Sequence, residues 1–288
     1  MPKYRAMKKI VTGIDFSKTS VLALRYAIQL AAGTNSDLLL VNVQKHLDYE
    51  VPQKAEEPRG PEKVMEQFEN LVARYKGDYQ GQIEMTVKQG RVHEEIANQA
   101  RYADAWLVVL GAHGLSGFEK FWIGTHSYRV VTTCVTPVIT VRQGFEVERP
   151  VQRIVIPIDN TLETTQKVPF TLDLAKQFNA EVHVLSLLSD ITYAVKEKVH
   201  ASAHEAHRLV RESGLGIVTH EEVCDNITAA TIEYAIRADA DLISIMTEQE
   251  FAPRNIFLGP YAQQMVNHSP VPVLSMHGKA LIQPRHII

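Results

Sequence analysis

Glycines and hydroxyl residues recur at fixed intervals after the apolar run of residues 106–110. Gly111 and Gly114 follow the run, and nine residues separate Gly114 from Gly124-Thr125-His126-Ser127. Glycines at the end of a strand let the backbone approach a ligand closely, because they carry no Cβ. Gly-Thr-x-Ser at the start of a helix offers backbone N–H groups and hydroxyls at the positive end of the helix dipole. The pattern therefore predicts an anion site, and phosphate is its usual occupant.

Three titratable side chains lie in or near this pattern. His113 and His126 lie within it, and each could donate to a phosphate or could equally be a solvated loop histidine. Asp15 follows another apolar run, residues 9–14, and precedes a helix. Asp15 could belong to the same site, or it could cap that helix and turn the chain. At the level of the residues, both interpretations stay open.

Short apolar runs alternate with amphipathic segments through the first half of the chain. Residues 9–14, 37–43, 83–87 and 106–110 predict strands, residues 62–75 and 92–103 predict helices, and Gly33 predicts the end of a first helix. Nearly continuous apolar strands are typical of a sheet buried on both faces. The alternation predicts an α/β fold with a parallel sheet and helices on both faces.

The same pattern returns in the second half. Asp159 follows residues 153–158 as Asp15 follows residues 9–14, at an offset of 144 (159 − 15). Ala-Asp-Ala at residues 103–105 returns at residues 238–240, at an offset of 135 (238 − 103). We predict two copies of one α/β domain, residues 1–149 and 150–288, with the linker at residues 143–151.

The second copy lacks most of the glycine and hydroxyl pattern. A proline at the start of a helix brings neither an N–H group nor a hydroxyl. Side chains also fill the space that glycines leave open, so we predict that this copy does not bind a phosphate-bearing ligand in the same way and packs against the first. Met246, Gln249, Pro260 and Ala262 stand at the places of Gly111, Gly114, Thr125 and Ser127, whereas Gly259 keeps the place of Gly124 (259 − 124 = 135).

Composition excludes several classes of protein. The 288 residues are 45% hydrophobic and 22% charged, which is ordinary for a globular protein. A net charge of −3 argues against a nucleic-acid partner, which needs a basic surface. No apolar run reaches the roughly 20 residues that span a bilayer. The start of the chain has no signal-peptide core and two cysteines are too few for a disulfide scaffold, so we expect a cytoplasmic protein that binds no membrane.

The spacing G-x2-G-x9-G-[ST], filled by Gly111, Gly114, Gly124 and Thr125, resembles the nucleotide motif of the universal stress protein family. The Walker spacing G-x4-G-K-[ST] does not occur in the sequence. The resemblance covers both copies and implies a five-stranded parallel sheet of order 3-2-1-4-5 in each. Open α/β sheets bind ligands where the strand order switches, here between strands 1 and 4. Asp15 and Gly111, at the ends of those strands, are therefore expected at one crevice.

The resemblance also implies the ligand, which is ATP with Mg²⁺ or Mn²⁺ held through its phosphates. It places Val41 against the adenine through its backbone and Asp15 beside the nucleoside or near the metal, and Gly13 suits a strand end close to a ring. No nucleophile–base pair is evident, so no catalytic residue is assigned and at most slow ATP hydrolysis is expected. The expected nucleotide-binding residues, one site per chain, are Gly13, Asp15, Val41, Gly111, His113, Gly114, Gly124, Thr125, His126 and Ser127.

The family resemblance implies how the two copies meet and what they do. Residues 138–141 and 271–274 are the last strands, and in the family this edge joins two domains. We therefore expect a pseudo-dimer within one chain, while a homodimer and a protein partner stay open. The implied function is nucleotide-dependent stress regulation, and the alternative is a protein-interaction module that binds no nucleotide.

A second constellation lies in the second copy. His200, His204 and His207 fall at positions i, i+4 and i+7 and would share one face of a helix. Three imidazoles could approach one zinc ion, which would make the second copy a metal- or small-ligand-binding domain. A solvent-facing polar stripe is the stronger interpretation, because the spacing is loose and no fourth ligand is fixed.

Overall fold

The computed structural model describes residues 8–44, 60–112, 125–189, 192–247 and 259–278. Strands and helices alternate through these ranges, as the apolar runs predict. No helix within them is both long and apolar enough to cross a bilayer. In chain order the elements are β1 (Lys9–Gly13), α1 (Lys18–Thr34), β2 (Asp37–Gln44), α2 (Pro61–Tyr75), β3 (Ile83–Gln89), α3 (Val92–Tyr102), β4 (Ala105–Ala112), α4 (Thr125–Thr133), β5 (Val138–Arg142), β6 (Arg153–Ile158), α5 (Val168–Phe178), β7 (Glu181–Leu188), α6 (Tyr193–Ser213), β8 (Ile217–Val223), α7 (Ile227–Arg237), β9 (Leu242–Thr247), α8 (Pro260–His268) and β10 (Val273–His277).

The strands described form one sheet of order β3-β2-β1-β4-β5-β10-β9-β6-β7-β8. Each half contributes five neighbouring strands in the order 3-2-1-4-5, and neighbours within a half are parallel. The halves meet where β5 and β10 pair antiparallel, with Ile139 opposite Leu274. The expected fold class and the expected meeting of the last strands are confirmed.

Each face of the sheet carries its own hydrophobic core. Successive residues of a strand point to opposite faces, so Ile10 and Leu107 pack under α1 and α2, whereas Val11 and Val108 pack under α3 and α4. Both cores continue across the junction into the second half. Burial on both faces accounts for the nearly continuous apolar strands of the sequence.

The repeat extends to residues with unusual backbone angles. Asn35 and Asn179 end α1 and α5 in the left-handed conformation with φ of 48° and 50°, at the offset of 144 (179 − 35). Asp104 and Asp239 precede β4 and β9 with φ of 47° and 50°, at the offset of 135 (239 − 104). The two halves thus share turn geometry as well as element order.

The prediction that Gly33 ends the first helix is wrong. The helix continues to Thr34, and Asn35 is its cap. Gly33 instead lies where α1 meets α5, because a Cβ at that position would stand well inside 3.0 Å of the Phe178 ring. The glycine serves close packing between helices of the two halves.

Candidate functional site

The turn between β1 and α1 is built by Asp15 and two serines. The Ser17 N–H donates to Asp15 Oδ1 at 2.9 Å, and the Asp15 N–H donates to Ser20 Oγ at 3.3 Å. Ser17 caps α1, since its Oγ accepts from the Ser20 N–H at 3.2 Å. Phe16, between them, has a φ of 65°. Asp15 therefore does turn the chain, and its exposed carboxylate lies where the first strand ends.

A buried amide on β2 holds this turn against the sheet. Asn42 Nδ2 donates to the Ile14 carbonyl at 2.7 Å, and the Ile14 N–H donates to the Val41 carbonyl at 2.8 Å. The Val41 carbonyl is thus used by the sheet, although a carbonyl oxygen has a second lone pair. Sequence reasoning missed Asn42, and its signal is a single polar residue near the end of an apolar strand.

Gly111 is required where β4 passes the start of α1. A Cβ at Gly111 would lie well inside 3.0 Å of the Thr19 backbone carbonyl, so a side chain here would push the helix away. The Gly111 carbonyl accepts from Ser127 Oγ at 2.8 Å, which ties the first turn of α4 to β4. The glycine and the serine of the sequence pattern are therefore in direct contact.

These elements enclose a cavity of about 250 Å³ at the carboxyl ends of β1 and β4. Six elements contribute to it, namely β1, β2, α1, α3, β4 and α4. The lining is largely apolar and also includes a carboxylate and hydroxyls. The lining residues are Gly13, Ile14, Asp15, Ser17, Thr19, Ser20, Val41, Val43, Val92, Ile96, Leu110, Gly111, Ser127 and Val130.

The structure brings five of the ten expected site residues to this cavity: Gly13, Asp15, Val41, Gly111 and Ser127. Thr125 and His126 are the first two residues of α4, whose start is close by because Ser127 contacts Gly111. His113, Gly114 and Gly124 lie outside the described residues. Ser17, Thr19 and Ser20 line the cavity although sequence reasoning did not assign them to it.

Comparison with known proteins identifies the family to which the chain belongs. The sequence profile of the universal stress protein family matches residues 7–142 and 150–277, one match in each half. The chain belongs to the universal stress protein family. It is a tandem member, with two universal stress domains in one chain.

Individual relatives agree with this assignment. A universal stress protein of Methanocaldococcus jannaschii is 26% identical in an alignment of 137 positions that covers 43% of this chain and 80% of the relative. The universal stress protein YxiE of Bacillus subtilis is 27% identical in an alignment of 145 positions that covers 46% of this chain and 98% of YxiE. The crystal structure of a universal stress protein from Archaeoglobus fulgidus covers 93% of this chain and 98% of its own, with a TM-score of 0.74 at 16% identity. Likeness at that identity shows the fold alone.

The second universal stress domain keeps the aspartate turn but changes its surroundings. Asp159 Oδ1 accepts from the Thr161 N–H at 3.0 Å, as Asp15 accepts from Ser17. Met246, buried, stands at the place of Gly111 (246 − 111 = 135). Helix α5 begins only at Val168, whereas the offset of 144 from the first domain would start it at residue 162. In the first domain a Cβ at this place would meet the start of α1, so a methionine here suits the later start of α5 and the turn persists in different surroundings.

The histidine stripe lies on α6, where His200, His204 and His207 line a groove of about 540 Å³ against β7 and β8. His200 Nε2 lies 2.7 Å from Glu221 Oε2, so its imidazole pairs with a carboxylate. In the ranges that the structure covers, no three or more His, Cys, Asp or Glu side chains are grouped to hold a metal ion. The arrangement therefore gives the zinc alternative no support.

Proposed function

We propose that the first domain binds one adenine nucleotide, ATP, in the crevice between β1 and β4. The observation that carries this proposal is the convergence of Gly13, Asp15, Val41, Gly111 and Ser127 on one cavity, although they are scattered over more than a hundred positions of sequence. The cavity lies at the switch in strand order, where open α/β sheets bind ligands.

The apolar and polar parts of the lining suit the two ends of a nucleoside. Val41, Ile96 and Leu110 offer an apolar surface against which a flat base can pack. Ser17 and Ser20, at the start of α1, offer hydroxyls for the sugar. A cavity of about 250 Å³ is smaller than the roughly 300 Å³ at which pockets for whole ligands begin, so it holds the base and sugar rather than the phosphates.

The phosphates then extend towards the start of α4. This helix begins at Thr125, so its unpaired N–H groups and the positive end of its dipole lie next to the crevice. Ser127 Oγ gives its one proton to the Gly111 carbonyl at 2.8 Å, and must release that bond before it can donate to a phosphate. Ligand binding is therefore coupled to the contact between β4 and α4.

The residues present fit a divalent cation that the phosphates bring with them. Mg²⁺ and Mn²⁺ prefer oxygen ligands, and Mg²⁺ is commonly held by one or two carboxylates together with phosphate oxygens. Asp15 supplies the carboxylate of the lining, and Ser17 and Thr19 supply hydroxyls beside it. Such a bound cation neutralises phosphate charge.

The proposed role is regulation by nucleotide occupancy in the cytoplasm. Among the described residues, the polar side chains that line the cavity are one carboxylate and hydroxyls, and no histidine or lysine lies among them. We assign no catalytic residue to this set, and the proposal includes slow hydrolysis or none. In this proposal the bound nucleotide shifts the protein between two conformational states and does not supply energy through hydrolysis.

The test is to identify what purified protein releases on denaturation by mass spectrometry and to titrate it with ATP by calorimetry. We expect close to one adenine nucleotide per chain. Gly13→Val should weaken ATP binding about tenfold or more, because a Cβ there already meets Ile96 and Leu110 at 3.1 Å and the larger side chain fills the cavity. Pro157→Val makes the same residue at the equivalent place of the second domain and should leave binding unchanged.

Two results would contradict the proposal. Equal ATP affinity for wild type and Gly13→Val, with intact folding by circular dichroism, would move the site elsewhere. A wild-type protein that releases no nucleotide and shows no affinity for ATP would favour the alternative, a module that acts through protein contacts alone.

A further inference from the structure

A histidine of the second domain reaches the last turn of α4 in the first. His277, the final residue of β10, is buried, and its Nε2 lies 2.5 Å from the Val131 carbonyl oxygen. A carbonyl oxygen only accepts, so Nε2 carries a proton and donates it. Thr247 Oγ1 lies 2.8 Å from Nδ1 and fixes the ring from its other side. This hydrogen bond joins residues 146 positions apart in two different domains.

Helix α4 is thereby held near both ends. Ser127 ties its first turn to Gly111 at 2.8 Å, and Val131 ties its last turn to His277. Carbonyls in the last turn of a helix lack intrahelical partners, so a side-chain donor there satisfies one of them. A helix of 9 residues has little stability of its own, and its position therefore depends on such contacts.

The residue of the first domain that corresponds to His277 is not a histidine and makes no equivalent contact in the described part of the chain. Arg142 stands in the first domain where His277 stands in the second (277 − 142 = 135). Its Nη1 is buried without a hydrogen-bond partner in the described part of the chain. The helix that corresponds to α4 in the second domain is α8, which begins with Pro260 and belongs to the domain without the motif. The histidine contact is thus directed at the helix that opens the proposed phosphate site.

We infer that His277 is a positioning residue through which the second domain sets the placement of α4 and hence the affinity of the site in the first domain. This inference rests on the proposed function, because the phosphates are expected at the first turn of α4. A short helix moves as a unit, so loss of the bond at Val131 displaces Ser127 and the N-terminal N–H groups together. The second domain then contributes to nucleotide affinity in the first domain through His277.

Three variants separate the hydrogen bond from general packing. His277→Leu removes the donor and keeps an apolar side chain in a buried place. His277→Gln keeps an N–H donor at similar reach and should restore wild-type behaviour. Thr247→Val, of nearly the same shape, removes the hydroxyl that orients the ring and that also contacts the Met276 carbonyl at 3.1 Å, and it serves if His277→Leu does not fold. His268→Leu, at the exposed end of α8, is the matched control.

The first measurement is hydrogen–deuterium exchange of the full-length protein without added nucleotide. Faster exchange is expected in residues 128–135 for His277→Leu, with wild-type exchange for His277→Gln and His268→Leu. Unchanged exchange of α4 in His277→Leu and Thr247→Val would overturn the inference.

The second measurement is ATP titration of the same proteins. His277→Leu is expected to bind about fivefold more weakly, in line with the loss of one hydrogen bond, whereas His277→Gln stays close to wild type. Faster α4 exchange together with unchanged ATP affinity would overturn the link between helix and site. A wild-type protein without ATP affinity would refute the proposed function and this link, while the exchange data would still decide whether His277 holds α4.

Discussion

Lys167 carries a charge that the fold encloses. Its side chain is 3% exposed, and its Nζ donates to the Thr164 carbonyl while the charge of Asp159 favours the ammonium form. Burial has the larger effect and lowers the pKa of Lys167 from 10.5 to about 8, because the ammonium loses its water. Ala23 occupies the equivalent place in the first domain (167 − 144), so this buried charge belongs to the second domain alone.

The pKa of Lys167 predicts a pH-dependent stability. Between about pH 8 and pH 10.5 the unfolded chain binds the proton that the folded chain has released, so stability rises with pH in that window. Lys167→Met abolishes this rise. We expect the difference in free energy of unfolding between Lys167→Met and wild type to fall by about 2 kcal/mol from roughly pH 7 to roughly pH 10, measured by urea unfolding.

A second lysine variant controls for the other groups that titrate in this range. Lys176 lies at an exposed position of α5, the helix that Lys167 precedes, and Lys176→Met should follow the pH dependence of wild type. Parallel curves for wild type and Lys167→Met would mean that the ammonium of Lys167 is hydrated in solution.

The residues of the candidate site fall into two groups, those explained by neighbours in sequence and those explained by partners distant in sequence. Gly111 and Ser127 could be predicted to lie at this cavity because each follows from a local pattern of strand end and helix start, whereas the hydroxyls of α1 were not assigned to it. Asn42 and His277 could not be predicted, because their partners lie 28 and 146 positions away in sequence. A lone polar residue in an apolar strand signals a buried partner but does not say which one.

At the scale of elements, the sequence pattern predicts the strands and the repeat, and the family resemblance supplies the strand order, but neither predicts where every helix ends. Strands β1, β2 and β4 are buried on both faces of the sheet, so they consist of nearly continuous apolar residues that can be recognised from the sequence. The prediction at Gly33 is wrong because, in sequence, a glycine that leaves room for the Phe178 ring cannot be told from a glycine that ends a helix. The late start of α5 has a local signal that sequence reasoning did not use, because Pro169 lies in the first turn of the helix.

The end of α1 offers a test of this distinction. Asn35 has a φ of 48° and its N–H donates to the Ala31 carbonyl, so the position requires a left-handed residue. Asn35→Val should lower the free energy of unfolding by roughly 1–2 kcal/mol, because a branched Cβ clashes in this conformation. Asn35→Gly should leave it unchanged or slightly higher. Urea unfolding of both variants checks the prediction, and equal losses would show that the asparagine side chain matters rather than its backbone angle.

At the scale of the whole molecule, the sheet is nearly symmetric about the pairing of β5 and β10. Ile139 lies opposite Leu274, its own counterpart in the repeat (274 − 139 = 135). Thr140 pairs with Val273, and Val138 pairs with Ser275. These two pairs are equivalent, because Ser275 is the counterpart of Thr140 in the repeat and Val273 is the counterpart of Val138. A register of this kind is self-complementary, as a two-fold axis requires. The two domains occupy the places of two subunits of a symmetric dimer.

This symmetry predicts the behaviour of the first domain alone. A fragment of residues 1–149 loses β10 and leaves β5 as a bare, apolar edge strand, which tends to pair with another edge. We expect the fragment to form a dimer through two copies of β5, with Ile139 facing Ile139, when its mass is measured by light scattering after gel filtration. Ile139→Lys should make it a monomer, because two like charges would then face each other across the axis.

The opposite edge of the sheet supplies the control for that experiment. Thr86→Lys places the same charge on β3, which is the outer edge strand of the first domain and lies four strands away from β5. If β5 is the contact, Thr86→Lys leaves the fragment dimeric and Ile139→Lys does not. A monomeric fragment at every concentration would contradict the symmetry argument. It would mean that the continuous sheet depends on the linker rather than on the complementarity of β5 with its counterpart.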